Sequence, residues 1–348
     1  MSAGARPEPA RPDGAAGAVA RPVIAAVGAG RMGRGIAHVF AFTGHRVALV
    51  DLKPRPAAAA ARLLEDARAE IAANLGLLAA LDVLTAAQVE AALGRIALVD
   101  ERGADAALAG ADAIFEGVVE RLEDKRPVLE RIGRAARPDA LVASTTSTLA
   151  VDVLQGAVAH PERFLNAHWL NPAYLIPLVE VSAGRDTSPA ALAAMLELLR
   201  AAGKVPVQCA ARPGFIVPRI QAVAMNEAVR MVEEGVATAE EIDRAIRVGF
   251  GVRYAIMGLI EFVDWGGGDI LYYASRHLSA ALGSDRYTAP EVVDRNMREG
   301  RLGLRTGRGF YDFAGVDREA YQRETLARFV ALLRHLDLLP RPAAGGQA

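Results

Sequence analysis

The strongest constraint on this chain lies near its start. Residues 23–27, VIAAV, form an apolar run of strand length that opens directly into GAGRMG. Apolar residues then recur at helical spacing over residues 35–42 until Gly44, and residues 46–50, RVALV, read as a second strand ending at Asp51. Strand, glycine loop, helix and strand within about thirty residues make one βαβ unit. A chain that begins this way is committed to parallel strands, whose crossover helices cover the sheet faces. The glycines divide the work of a phosphate cradle. Gly28 permits the tight turn, Gly30 lets the backbone approach a pyrophosphate, and Gly33 lets helix and strand pack closely, with the helix N-terminus facing the phosphates. Ala29, Arg31 and Met32 complete the loop. Among 33 glycines the pattern alone is weak, but here a strand precedes it and a helix follows. Asp51 also stands about twenty residues on, where an acceptor for a ribose 2′-hydroxyl is expected. The expected cofactor is NAD rather than NADP, because an acid at position 51 repels a 2′-phosphate, although Lys53 and Arg55 stand close by.

The rest of the chain extends the pattern. Residues 56–94 read as two alanine-rich helices with a break near residues 76–84, the second opened by a capping box of Thr85 and Gln88. Strands are predicted over residues 113–118, 140–144, 164–168, 178–182 and 205–209, with helices over 123–136 and 189–202. After Arg212, Pro213 and Gly214 the strand signal ends, and helices are predicted over 216–235, 239–248, 269–282, 290–299 and 317–337. A length of 348 residues suits two domains. The expected fold is α/β: a Rossmann-type doubly wound domain over residues 21–211, then an all-α domain over residues 212–348. Residues 1–20, rich in Ala, Gly and Pro, are expected to be a disordered tail.

The chemistry points to residues 161–180, PERFLNAHWLNPAYLIPLVE. They hold His168 in one apolar run, Asn171 just beyond it and Glu180 in a second apolar run. A histidine held by a buried carboxylate is a base that works near neutral pH. The alternative is a satisfied histidine at a strand end and a surface glutamate. A net charge of −1 excludes the basic footprint of a nucleic-acid binder. A single cysteine, Cys209, excludes an intramolecular disulfide and a cysteine metal cluster, and in VPVQCA it reads as a buried thiol. No apolar run reaches membrane-spanning length and no signal segment is evident, so a cytoplasmic protein without membrane or nucleic-acid partners is expected.

Taken together, these motifs resemble the 3-hydroxyacyl-CoA dehydrogenase family. The resemblance rests on VGAGRMGRGIA, FEGVVERLEDK (115–125), STTSTL (144–149), HWLNP (168–172), LVEV (178–181), ARPGFIVPRI and RTGRGFYDF, in that order. It implies an NAD-dependent oxidoreductase of fatty acid β-oxidation type, without a metal, that transfers a hydride to nicotinamide, and a homodimer joined through the helical domain. It implies His168 as the base, Glu180 as the residue holding the other imidazole nitrogen, Ser147 on the substrate oxygen, and Asn171 near His168 and the nicotinamide. Glu120 and Lys125 would line the cofactor site. Ser147 also reads as a cap for the helix after it, and Glu120 with Lys125 as a surface pair.

Two positions depart from the family pattern. Thr145 and Pro218 stand where asparagines are usual, and Pro218 can supply neither a side-chain hydrogen bond nor a backbone N–H. Ile176 and Pro177, and the phrase GVRYAIMG with Arg253 as a candidate anion contact, look more like the branch that includes lambda-crystallin, gulonate dehydrogenase and carnitine dehydrogenase. No lysine lies between Lys53 and Lys125 to meet the phosphates of coenzyme A. Three readings follow: oxidation of an L-3-hydroxyacyl-CoA, with a short acyl chain as first expectation; oxidation of a small free hydroxy acid or hydroxy amine; or NAD binding without turnover, as in crystallins.

Overall fold

The computed structural model describes residues 21–340. The tail expected over residues 1–20 lies outside them, as do residues 341–348. The chain divides into two compact units, with the division falling between Ala224 and Met225.

The first unit is built on eight strands: β1 (Ile24–Val27), β2 (Val47–Val50), β3 (Ile96–Val99), β4 (Ala113–Glu116), β5 (Leu141–Ser144), β6 (Phe164–Trp169), β7 (Leu178–Ala183) and β8 (Val205–Gln208). Its helices are α1 (Arg31–Phe42), α2 (Ala57–Ala80), α3 (Ala86–Leu93), α4 (Ala104–Ala109), α5 (Leu122–Ala135), α6 (Val151–Gln155) and α7 (Pro189–Ala201). The strands lie in the order β3-β2-β1-β4-β5-β6-β7-β8. All neighbours are parallel except β6 and β7, which run antiparallel. This is the doubly wound sheet that the alternation of strands and helices implies. The period of two along a strand sorts side chains between its faces. Ile24, Ala26, Phe115, Leu165, Ala167 and Trp169 enter one core, while Ala25, Val27, Ile114, Val142 and Phe164 enter the other.

The structure departs from the sequence reading in several places. Gly76 does not break a helix; it sits inside α2, and the break comes at residues 81–85. A Cβ at Gly76 would meet nothing within 4 Å, so the position carries only the modest entropic cost of glycine in a helix. The capping box is as expected, with the Thr85 hydroxyl accepting from the Gln88 amide and the Gln88 side chain accepting from Thr85. Strand β3 escaped notice because it is a four-residue edge strand with one buried side chain. Cys209 is half-buried rather than buried, its Sγ 3.2 Å from Ser182 Oγ.

Helix α8 (Val217–Glu233) spans the division between the units. The second unit continues with α9 (Ala239–Ala245), a π-helical segment Ile246–Gly251, and α10 (Val252–Ile256), where the sequence suggests one helix over 239–248. It then adds α11 (Leu259–Gly266), α12 (Gly268–Leu282), α13 (Glu291–Arg298) and α14 (Arg318–His335). The phrase RTGRGFYDF is held by Asp264, 2% exposed, whose carboxylate accepts from the amides of Phe310 (3.0 Å) and Tyr311 (2.7 Å). Gly309 is required there: a Cβ would lie 2.2 Å from Asp264 Oδ1. Among the described residues no helix is long and apolar enough to cross a membrane.

Candidate active site

At the end of β1 the chain turns through Gly28, whose φ of +101° is the left-handed region open to glycine. Gly33 is fixed by close packing, since a Cβ would lie 1.8 Å from the Gly28 carbonyl oxygen. Gly30 differs: a Cβ there would meet nothing within 4 Å, because its backbone faces open space. No side chain caps α1. The first-turn amides and the positive end of the helix dipole are therefore left to a ligand. The loop lines a cleft of ≈ 830 Å³ at the C-terminal ends of the strands, on the scale of a ligand pocket. The lining takes in Gly28, Ala29, Gly30, Arg31 and Met32, and also Asp51 at the end of β2; Gly33 stands behind as the packing glycine. A Cβ-free cradle, an uncapped helix and an acid at the ribose position together fit a dinucleotide. Asp51 is 6% exposed, and Arg55 Nε donates to its Oδ2 at 2.7 Å.

The same cleft is lined by His168 and Asn171. The antiparallel register of β6 and β7 sets His168 directly opposite Glu180, so both side chains fall on one face. His168 Nδ1 donates to Glu180 Oε2 at 2.7 Å. Glu180 is fully buried, and its Oε1 accepts from the backbone amides of Ile216 (3.0 Å) and Val217 (2.7 Å) at the start of α8. The carboxylate is thus compensated by a helix N-terminus on one side and imidazole on the other. With Nδ1 committed as donor, Nε2 is the acceptor of the neutral ring, and a ring so held can take a proton. Phe215, with φ +41°, stacks on the imidazole at 5.7 Å between centroids. The connection after β6, which includes a cis peptide between Asn171 and Pro172, carries Asn171. Lys204 Nζ secures it by donating to the carbonyls of Ala173 and Ile176 (2.9 Å).

Ser147 and Glu120 also line the cleft and meet each other. Glu120 Oε1 accepts from the amides of Ser147 (2.8 Å) and Thr148 (3.0 Å), and from the hydroxyls of Thr146, Thr148 and Ser147. Burial alone would raise the Glu120 carboxyl, but the Thr146 hydroxyl, the Lys125 charge and the two amides outweigh it and hold it down to about 2. Ser147 does not cap α6, which begins at Val151 without a side-chain cap. Lys125 does not line the cleft, and it forms no surface pair. It is fully buried and donates to both oxygens of Glu116 (2.9 and 3.1 Å), with Glu120 Oε2 at 3.3 Å. Lys125 therefore supports the loop bearing Glu120 from behind.

Pro218 sits in the first turn of α8 and forms part of the cleft wall. A first-turn residue needs no intrahelical N–H bond, so proline is tolerated there. Arg253 lies in the second unit with its guanidinium 4.3 Å from the centroid of the Phe262 ring. Sequence reasoning missed Phe215, the amides of Ile216 and Val217, Thr146 and Thr148, and Glu116. Only the hydroxyl-rich STTSTL offered a signal for any of them, as an unusual density of donors beside a strand end.

Comparison with known proteins agrees with this geometry. Residues 23–212 match the family described as 3-hydroxyacyl-CoA dehydrogenase, NAD binding domain, and residues 214–313 match its C-terminal domain. A 5-formyl-3-hydroxy-2-methylpyridine 4-carboxylate 5-dehydrogenase of Mesorhizobium japonicum is 32% identical over 315 residues, 90% of this chain and 98% of that protein. A 3-hydroxybutyryl-CoA dehydrogenase of Bradyrhizobium diazoefficiens is 34% identical over 293 residues, 84% of this chain and 96% of that protein. Among solved structures, a 3-hydroxyacyl-CoA dehydrogenase of Archaeoglobus fulgidus superposes with a TM-score of 0.72 at 31% identity, covering 92% of this chain and all of that one (100%).

Proposed function

The chain belongs to the 3-hydroxyacyl-CoA dehydrogenase family and is an NAD-dependent oxidoreductase of that type, and from that premise we propose that it oxidises a short L-3-hydroxyacyl-CoA to the 3-oxoacyl-CoA. The observation that carries this reading is the His168–Glu180 pair, which opens onto the cleft lined by the glycine loop. NAD, when bound, supplies the hydride acceptor. His168 takes the proton of the substrate hydroxyl on Nε2. Glu180 stabilises the imidazolium that results, and the two α8 amides hold the carboxylate in place. Ser147 orients the substrate oxygen, Asn171 stands by His168 and the nicotinamide, and Glu120 fixes the 146–148 turn that presents Ser147. In the reverse direction His168 returns the proton.

A second reading, oxidation of a small free hydroxy acid or hydroxy amine on the same machinery, has its own support. The relative from Mesorhizobium japonicum is named for a free pyridine carboxylate, and α2 offers only Arg62 and Arg68 to the phosphates of coenzyme A. The reading without turnover rested on Pro218, whose place in the first turn of α8 leaves the His168–Glu180 pair intact. We also propose a homodimer through the second unit. Val229, Val236 and Ile270 there are each more than 60% exposed, apolar side chains that a partner copy would cover. Sedimentation at micromolar concentration tests this, and a monomer would contradict it.

The experiment for the substrate is NADH oxidation with acetoacetyl-CoA, run beside free acetoacetate and dehydrocarnitine. A kcat/KM at least about a hundredfold higher for the thioester is expected. Turnover of a free acid alone would replace the first reading by the second.

A further inference from the structure

The ribose end of the cleft holds more positive charge than an NAD site requires. Asp51 shares the cleft lining with four cations, Arg31, Arg34, Lys53 and Arg55, of which Arg34 is paired to Glu70. Arg55 is ion-paired to Asp51 through Nε and Oδ2 at 2.7 Å, its side chain about a third exposed (32%). Arg31 and Lys53 have no carboxylate partner within ion-pair distance among the described residues. The pair is held by local chain stiffness. Arg55 lies between Pro54 and Pro56, and α2 begins at Ala57, so the segment leaving Asp51 has few backbone conformations open to it. The second carboxylate oxygen, Oδ1, has only a long 3.4 Å contact from the Lys53 amide and stays available to a ribose hydroxyl.

An acid at this position discriminates against NADP by repelling the 2′-phosphate and by accepting a hydroxyl that NADP lacks. Here the repulsion is cancelled before any ligand arrives, because Arg55 already neutralises Asp51. A guanidinium that keeps about a third of its side chain exposed (32%) beside the carboxylate is also suited to a phosphate, and Lys53 and Arg31 line the same cleft. We propose that this cleft binds NADP as well as NAD, and that Arg55 is the residue that sets the ratio between them. The ribose hydroxyls of NAD are accepted by Asp51 Oδ1 without breaking the pair. The 2′-phosphate of NADP takes its counter-charge from Arg55, with Lys53 and Arg31 in support. The inference rests on the chain being an NAD-dependent dehydrogenase and not on which substrate it oxidises.

The test is equilibrium binding, which is blind to the substrate. NADH and NADPH are titrated by their own fluorescence into the wild-type protein and the Arg55→Ala and Arg55→Lys variants. The wild-type dissociation constants are expected to lie within about thirtyfold of each other, and Arg55→Ala to raise the NADPH/NADH ratio by about tenfold, through weaker NADPH binding alone. Arg55→Lys, which keeps the charge, holds the ratio closer to the wild-type value than alanine does. A wild-type protein that binds NADPH more than about a hundredfold more weakly than NADH would overturn the proposal, and so would an Arg55→Ala ratio raised less than about fivefold. Loss of NADH binding in Arg55→Ala would overturn it too, by making Arg55 part of the NAD site itself.

Discussion

Replacing Glu180 by glutamine tests the site at its most constrained point. The change keeps the size and one carbonyl oxygen, but that oxygen can face only one way. On one side stand the amides of Ile216 and Val217, at 3.0 and 2.7 Å from Oε1; on the other stands His168 Nδ1, at 2.7 Å from Oε2. Turning the new NH₂ toward the amides would set donors against donors and leave two buried backbone N–H groups unpaired, at about 1–3 kcal/mol each. The oxygen therefore stays with the amides and the NH₂ faces Nδ1. His168 must then accept at Nδ1 and carry its proton on Nε2, the nitrogen that has to receive the substrate proton. The preference for this arrangement, at least about 2 kcal/mol, leaves only a few per cent of the ring in the working tautomer. Loss of the charge that stabilises imidazolium adds about 1.5–3 kcal/mol to the barrier. Together they predict a fall in kcat of about a thousandfold at pH 7–8, within the span that general base catalysis supplies. The assay is steady-state NAD reduction with L-3-hydroxybutyryl-CoA, the direction in which His168 receives the proton, paired with an NADH binding titration that should change by less than about threefold. A glutamine variant with more than about a tenth of wild-type kcat would refute the tautomer argument.

Other perturbations follow from the same structure. His38 is 1% exposed, and burial together with the nearby Lys204 charge lowers it from 6.5 to about 4. The unfolded chain then binds the extra proton first, so stability present above pH 6.5 is lost as pH falls toward 4, by about 2 kcal/mol at pH 5. His38→Gln should remove that part of the slope in urea unfolding at pH 7 and pH 5, and an unchanged slope would contradict it. Lys125→Met strands the fully buried Glu116 without its cation and should cost about 3–5 kcal/mol in thermal or urea unfolding, where a loss under about 1 kcal/mol would refute the buried pair. Gly309→Ala drives a Cβ to within 2.2 Å of Asp264 Oδ1 and should destabilise the second unit by about 1–3 kcal/mol, read as a lower Tm with NADH affinity unchanged.

Much of this site could be read before folding because its parts are local. The glycine loop, Asp51 and the strand before the loop lie within one βαβ unit, where spacing alone fixes their relation. The His168–Glu180 contact was legible as two chemically suited residues in two apolar runs. Its closeness depends on the antiparallel turn from β6 to β7, which periodicity does not distinguish from another parallel crossover. The second half of the Glu180 environment comes from the start of α8, thirty-six residues on, and consists of backbone amides that leave no mark in side-chain identity. The family resemblance places Lys125 in the cleft with Glu120. Its true partner is Glu116, a charge at the end of a fully buried strand, where only pairing makes the burial tolerable. The helices of the second unit were found by their periodicity except near residues 246–266. There a π-helical stretch follows the helix expected over 239–248, and two short helices, α10 and α11, occupy residues to which the pattern assigns no helix.

On the proposed mechanism His168, held by Glu180, takes the substrate proton in an otherwise intact NAD cleft. That step is measured by kcat/KM for NAD-dependent oxidation of L-3-hydroxybutyryl-CoA in wild-type and His168→Ala proteins, with NADH affinity determined on the same preparations. Wild-type turnover is expected, with a loss of about a thousandfold or more in the variant and NADH affinity within about threefold of wild type. A His168→Ala protein that keeps turnover within about tenfold of wild type would contradict it, and would place the base elsewhere in the cleft.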